Sequence, residues 1–133
     1  MPSPILHSVD AVTIPVPDLD TGLAFYRGVL GHELRWRNDA VGQAGLALAD
    51  RETEIVLTTQ QGYEPNWLVE SVAAAAARFR DAGGTVVVEP FDVPVGRVVV
   101  VADPFQNVLV LLELSKGRYT TDDHGAVTGV TSP

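Results

Sequence analysis

The sequence contains no cysteine in its 133 residues. Disulfides and thiol chemistry are excluded, which fits a cytoplasmic setting. Cations are scarce too: nine Lys and Arg stand against 17 Asp and Glu, a formal net charge of -8. A phosphate backbone needs a basic face, so no nucleic-acid partner is expected. No apolar run approaches membrane-spanning length, and the N-terminus lacks the layout of a signal peptide; neither a membrane partner nor export is expected. What remains is a chain with 46% hydrophobic and 20% charged residues, too apolar for disorder and of the size of one domain. Such a chain buries about two-thirds of its unfolded surface, enough for a core.

The first patterned stretch is DAVTIPVPDLD. Val12, Ile14 and Val16 alternate with Ala11, Thr13 and Pro15, the period of a strand. Asp18 stands where a helix N-cap belongs, and its carboxylate can accept from an orphan backbone N–H. Leu19, Leu23, Tyr26 and Leu30 then form a helical stripe that Gly31 ends. HELRWRND, QAGLALAD and ETEIVLTTQ follow as three strand-like runs separated by turn residues.

The second half repeats this plan. EPNWLVES supplies the strand, Ser71 the cap, and Val72, Ala76 and Phe79 the stripe; Gly83 and Gly84 stop the helix. A shift of 53 positions carries Val16 to Val69, Asp18 to Ser71, Leu19 to Val72, Tyr26 to Phe79 and Gly31 to Gly84. TVVVEP, GRVVVVAD and NVLVLLEL complete the set, with Phe91 and Phe105 in loops. In the turn DPFQN, Asp103 and Pro104 suit the first two positions of a type I turn, and Asn107 is free to turn left-handed. In the last strand Val108, Val110 and Leu112 share one face; Leu109, Leu111 and Glu113 share the other. The expected fold is α+β, two tandem βαβββ modules at about 5–60 and 61–116 in a single domain 1–133. A polar tail, 117–133, is expected on the surface or partly mobile.

The segments AVTIPVPDLDTGLAFYRGVLG, WLVESVAAAAARFRDAGG and VADPFQNVLVLLEL resemble the vicinal oxygen chelate superfamily, which includes glyoxalase I, extradiol dioxygenases, fosfomycin-resistance enzymes and bleomycin-resistance proteins. The resemblance spans roughly residues 5–116, and departs where Gln106 stands in place of the family's usual Gly. It implies that each module curls its four strands into a half-barrel, helix outside and site inside. It also implies a divalent metal held by His or Glu on the concave faces, at positions that fall on Ala11, Val56, Glu64 and Val110. Three of these four side chains have no lone pair to give, and one carboxylate cannot hold a divalent ion. A register slip offers no rescue, because it turns a side chain to the opposite sheet face.

No metal or other cofactor is therefore expected. The expected ligand-binding residues are Trp36, Thr13, Val56, Thr58, Glu64, Leu68, Val108, Val110 and Leu112, with Ala11 beside them. This wall is apolar with a few hydroxyls, suited to holding a hydrophobic organic molecule rather than polarising one. Trp36 is placed to stack on a flat ligand or to pack in the core, and Arg35 and Arg37 flank it. Glu64 is a candidate partner for a cationic group, and His32 is either a pocket acid or base or a half-buried residue at a strand start. His124 and the DRETE acids read as solvated, and Ser71 as a cap rather than a nucleophile.

The resemblance to the bleomycin-resistance branch implies a metal-free homodimer that sequesters a hydrophobic or aromatic antibiotic or toxic metabolite. The alternatives are a metal-dependent lyase, isomerase or transferase, with a displaced site built from Glu64, Glu54 and His32, and a metabolite-sensing module.

Overall fold

The computed structural model describes residues 4–132; residues 1–3 and 133 of the expected 1–133 domain lie outside the described residues. Two compact units emerge. One comprises Asp10–Glu64 with Tyr119–Gly129, and the other Pro65–Arg118 with the chain before Asp10 and after Gly129. Each holds one copy of the repeated plan, and the architecture is α+β.

In the first module β1 (Ser8–Pro15) leads to α1 (Leu19–Leu23), then β2 (Leu34–Asn38), β3 (Gln43–Ala47) and β4 (Glu54–Thr58). The sheet order is β2-β3-β4-β1, with β1 parallel to β4 and the other pairs antiparallel. The second module repeats this with β5 (Glu64–Leu68), α2 (Val72–Asp81), β6 (Thr85–Val93), β7 (Gly96–Ala102) and β8 (Val108–Glu113). Its order is β5-β8-β7-β6, with β5 parallel to β8. The crossover between parallel neighbours carries the helix to one face of each sheet, and that face becomes the core.

The helix caps sit where the acidic and hydroxyl residues predict. Asp18 Oδ1 accepts from the Thr21 N–H at 2.7 Å, and Ser71 Oγ from the Ala74 N–H at 3.1 Å. Under α1, Leu19 and Leu23 pack with Ala44, Leu46, Ile55 and Leu57. Under α2, Val72, Ala75 and Ala76 pack with Val69, Val99, Val101 and Leu111. Glu113 lies on the helix side as its parity requires, and its carboxylate accepts the Val72 N–H at 3.0 Å. A strand residue thus satisfies one orphan donor of α2 where the helix dipole favours negative charge.

Four local expectations need correction. Beyond Leu23 the first helix winds as a π-helix over Ala24–Val29, with Leu30 N–H bonding back to Phe25 O. The wider winding rotates later residues off the stripe, so Leu30 is 50% exposed instead of buried. Phe91 belongs to β6, because two bulges let that strand run on to Val93. In the DPFQN turn Gln106, not Asn107, is left-handed (φ 72°), the position where the resembling family has glycine; Asn107 Nδ2 instead donates to Asp103. The tail lies on the surface, as expected, but as regular structure: β9 (Arg118–Thr121) and β10 (Val127–Thr131) form a hairpin.

Candidate functional site

The strand period splits each sheet into a helix face and an inner face, the face that is concave in the resembling family. In the first module the inner face carries Ala11, Thr13, Val56 and Thr58, and the register sets Ala11 beside Glu54 and Thr13 beside Val56. Both threonines are fully buried. Thr13 Oγ1 donates to the carbonyls of Gly62 (2.7 Å) and Glu64 (3.0 Å), while Thr58 Oγ1 accepts from the N–H groups of Gln60 and Gln61. The two hydroxyls therefore fix the loop that leaves β4, since each bond supplies a partner for a buried group that water cannot reach.

Trp36 is also on this inner face. It lies opposite Gly45, whose missing side chain leaves room for the indole. Its Nε1–H donates to Glu54 Oε1 at 2.8 Å, and its ring packs against Tyr119 with centroids 4.8 Å apart. Asn38 Nδ2 donates to the Tyr119 hydroxyl at 3.5 Å, and burial pushes the Tyr119 phenol upward from its usual value of 10.0. The hairpin tip completes the arrangement: Arg37 N–H donates to Gly125 O at 2.8 Å, and Arg37 bridges to Ala126 along the edge of β2. A polar tail thus covers a sheet edge and supplies the aromatic partner of Trp36. Composition alone concealed that role.

The flanking charges are engaged too. Arg35 pairs with Glu54 at 3.6 Å and donates to the Arg51 carbonyl. Arg37 pairs with Asp20 and Asp39, each at 2.9 Å. His32 Nδ1 lies 3.0 Å from the Ala47 carbonyl, consistent with a half-buried residue at a strand start.

The second module's inner face differs. Asn66 and Leu68 on β5 align with Val110 and Leu112 on β8, and those with Val100 and Val98 on β7. Val88 and Phe91 continue the face on β6. Leu112 and Val110 are buried, whereas Val88 (44%) and Phe91 (43%) on the outer strand β6 and Val108 (58%) at the start of β8 remain exposed. Large apolar side chains left open together mark a surface suited to an apolar partner or ligand. Asn66 belongs to this face by simple alternation from Glu64 and Leu68, and sequence reasoning passed over it. A separate shallow groove lies at the far ends of β5 and β8, lined by His7, Glu70, Glu113 and Arg118.

The nine expected ligand-binding residues thus divide. Trp36, Thr13, Val56, Thr58 and Glu64 belong to the first unit, and Leu68, Val108, Val110 and Leu112 to the second. The metal positions do not fit a divalent ion. Ala11, Val56 and Val110 are 2%, 5% and 7% exposed hydrocarbon, which leaves Glu64 alone. Among the described residues no group of three His, Cys, Asp or Glu comes together to replace them, Glu54 and His32 included. No helix among the described residues is long and apolar enough to cross a membrane.

Comparison with known proteins places the fold. No curated protein matches the chain. Among solved structures, methylmalonyl-CoA epimerase from Mycobacterium tuberculosis aligns with TM-score 0.66 at 23% identity, over 85% of this chain and 91% of that one. A Streptomyces coelicolor methylmalonyl-CoA epimerase in complex with 2-nitronate-propionyl-CoA aligns with TM-score 0.59 at 25% identity, over 80% and 96%. A methylmalonyl-CoA epimerase in complex with methylmalonyl-CoA and NH4+ aligns with TM-score 0.60 at 23% identity, over 96% and 99%. The family profile described as Glyoxalase/Bleomycin resistance protein/Dioxygenase superfamily matches residues 8–111, and the chain belongs to that superfamily.

Proposed function

We propose that this protein is a metal-independent binding protein for a hydrophobic, probe-sized organic molecule, held on the inner face of the second module. One observation carries the reading. The superfamily's metal positions are hydrocarbon at Ala11, Val56 and Val110, while the same sheet face in the second module leaves Val88, Phe91 and Val108 open beside the buried Val110 and Leu112. Such a surface gains free energy by removing an apolar ligand from water, at about 25 cal/mol per Å² buried, and needs no reactive group to do so. The biological role that fits is sequestration of an aromatic antibiotic or toxic metabolite in the cytoplasm. The two compact units are read as the two modules of one domain acting in a homodimer. The exposed Phe25, Val29 and Leu30 of the first helical segment support self-association.

The epimerase likeness supports the fold rather than that chemistry. The displaced-metal enzyme is the weaker reading, because Glu54 is already held by Trp36 and Arg35, and His32 lies against the Ala47 carbonyl. The test is a fluorescence titration with the neutral apolar probe N-phenyl-1-naphthylamine on wild type and Val110→Glu. A carboxylate placed in the apolar wall must be desolvated by any ligand that covers it, so affinity is expected to fall roughly tenfold or more. Equal affinity in the two proteins would remove the ligand from this face.

A further inference from the structure

We propose that Asn66 is the polar specificity point of the second module's inner face, and that the ligand is a neutral molecule carrying a hydroxyl or amide group on an apolar body. The inference rests on the binding reading above and adds to it the class of ligand. Asn66 is aligned with Val110 across the parallel β5–β8 pair. Its neighbour Trp67 packs into the core beneath α2, so alternation turns Asn66 to the opposite, inner face beside Leu68. The residues aligned with it across the sheet are Val110 on β8 and, beyond that, Val100 on β7, neither of which can hydrogen-bond through its side chain.

The Asn66 Oδ1 is buried and has no hydrogen-bond partner among the described residues. Buried polar atoms are nearly always paired, and an orphan calls for an explanation. The inner face of the first module shows the ordinary solution: the fully buried Thr13 and Thr58 both bond to backbone groups between Gln60 and Glu64. Asn66 Oδ1 has no such backbone partner, and an apolar side chain at this position would leave no unpaired oxygen. A ligand that brings its own polar group supplies the missing bond.

The amide also restricts the ligand's chemistry. It offers an acceptor and a donor on one planar group, and a half-turn of that plane exchanges them without changing its shape. A hydroxyl or amide on the ligand can donate to Oδ1 or accept from Nδ2, so it matches either orientation. An anionic group cannot be matched in the same way, because Leu68, Val110 and Leu112 offer it no hydrogen bond and would leave the charge desolvated. Asn66 is half-buried on β5 next to β8, whereas the exposed Val88 and Phe91 lie three strands away on β6. The polar contact is therefore made by the part of the ligand that lies over β5 and β8.

The test is calorimetric titration of wild type, Asn66→Leu and Asn66→Ala with 2-naphthol and its near-isostere 2-methylnaphthalene. An apolar face alone favours the methyl compound, which is the more hydrophobic. The ratio of 2-naphthol to 2-methylnaphthalene affinity is expected to be roughly tenfold higher in wild type than in either variant, the factor that one net hydrogen bond supplies. The same ratio in wild type and in a folded variant overturns the inference and leaves the apolar binding face standing. Failure of both probes to bind wild type overturns the binding reading and this inference with it.

Discussion

Gly45→Ala is expected to be unusually costly for so small a change. A Cβ at Gly45 would overlap Nε1 and Cε2 of Trp36 and lie 2.8 Å from its Cδ1. The indole cannot simply swing aside. It is held by the 2.8 Å bond to Glu54 and by the Tyr119 ring. Overpacking of a filled site costs about 1–3 kcal/mol. Loss of a hydrogen bond to a charged group costs about 1.5–3 kcal/mol, and loss of an aromatic pair about 0.5–1.5 kcal/mol. These costs are alternatives in part, since a ring that moves away relieves the overlap, so the expected loss is about 3 kcal/mol. Urea unfolding monitored by far-UV circular dichroism would read this as a lower midpoint at unchanged slope. The decisive arm is the double-mutant cycle. In a Trp36→Ala background the indole's volume is empty, and Gly45→Ala should be neutral or stabilise by about 0.5 kcal/mol through reduced unfolded-state entropy. The same loss in both backgrounds, or a wild-type loss below about 0.5 kcal/mol, would refute the packing described for the first inner face.

Further expectations follow from single positions. Gln106 is held at φ 72°, so Gln106→Gly should raise stability by about 1 kcal/mol in the same unfolding assay. Asp18 is depressed below its usual 3.8 by the Thr21 backbone N–H and then by the Thr21 hydroxyl. A depressed carboxylate contributes stability that is complete above its unfolded value and is lost as pH falls through the folded one. Asp18→Ala should therefore lower stability at neutral pH and flatten the pH dependence below about 3.8, seen in melting curves taken across that range. A chain ending at Gly117 removes Tyr119 from the Trp36 ring, and the tryptophan emission should move to longer wavelength as water reaches the indole.

Much of the fold was legible because its signals are local. The Asp18 and Ser71 caps each need only a side chain and an N–H three residues on, and both form. The alternation in NVLVLLEL separates Leu109, Leu111 and Glu113 from Val110 and Leu112; in the structure the first two pack against α2 and Glu113 meets its N-terminus. What stayed hidden depends on contacts between distant residues. The Arg118–Thr131 hairpin gains its place from the β2 edge and the Trp36 ring, neither of which is encoded in its own polar composition. The π-wound turns after Leu23 preserve an apolar helical stripe in the sequence while rotating Leu30 into solvent. Strand parity already put Asn66 beside Leu68 on the inner face, but only the structure shows that its Oδ1 lacks a partner.

The most direct measurement of the central claim is elemental analysis of the protein purified without added metal or chelator, with the apolar-probe titration repeated before and after EDTA. Hydrocarbon at Ala11, Val56 and Val110 predicts no stoichiometric divalent metal and an affinity that EDTA leaves unchanged. One tightly held metal per chain, with probe binding lost on chelation, would contradict the account.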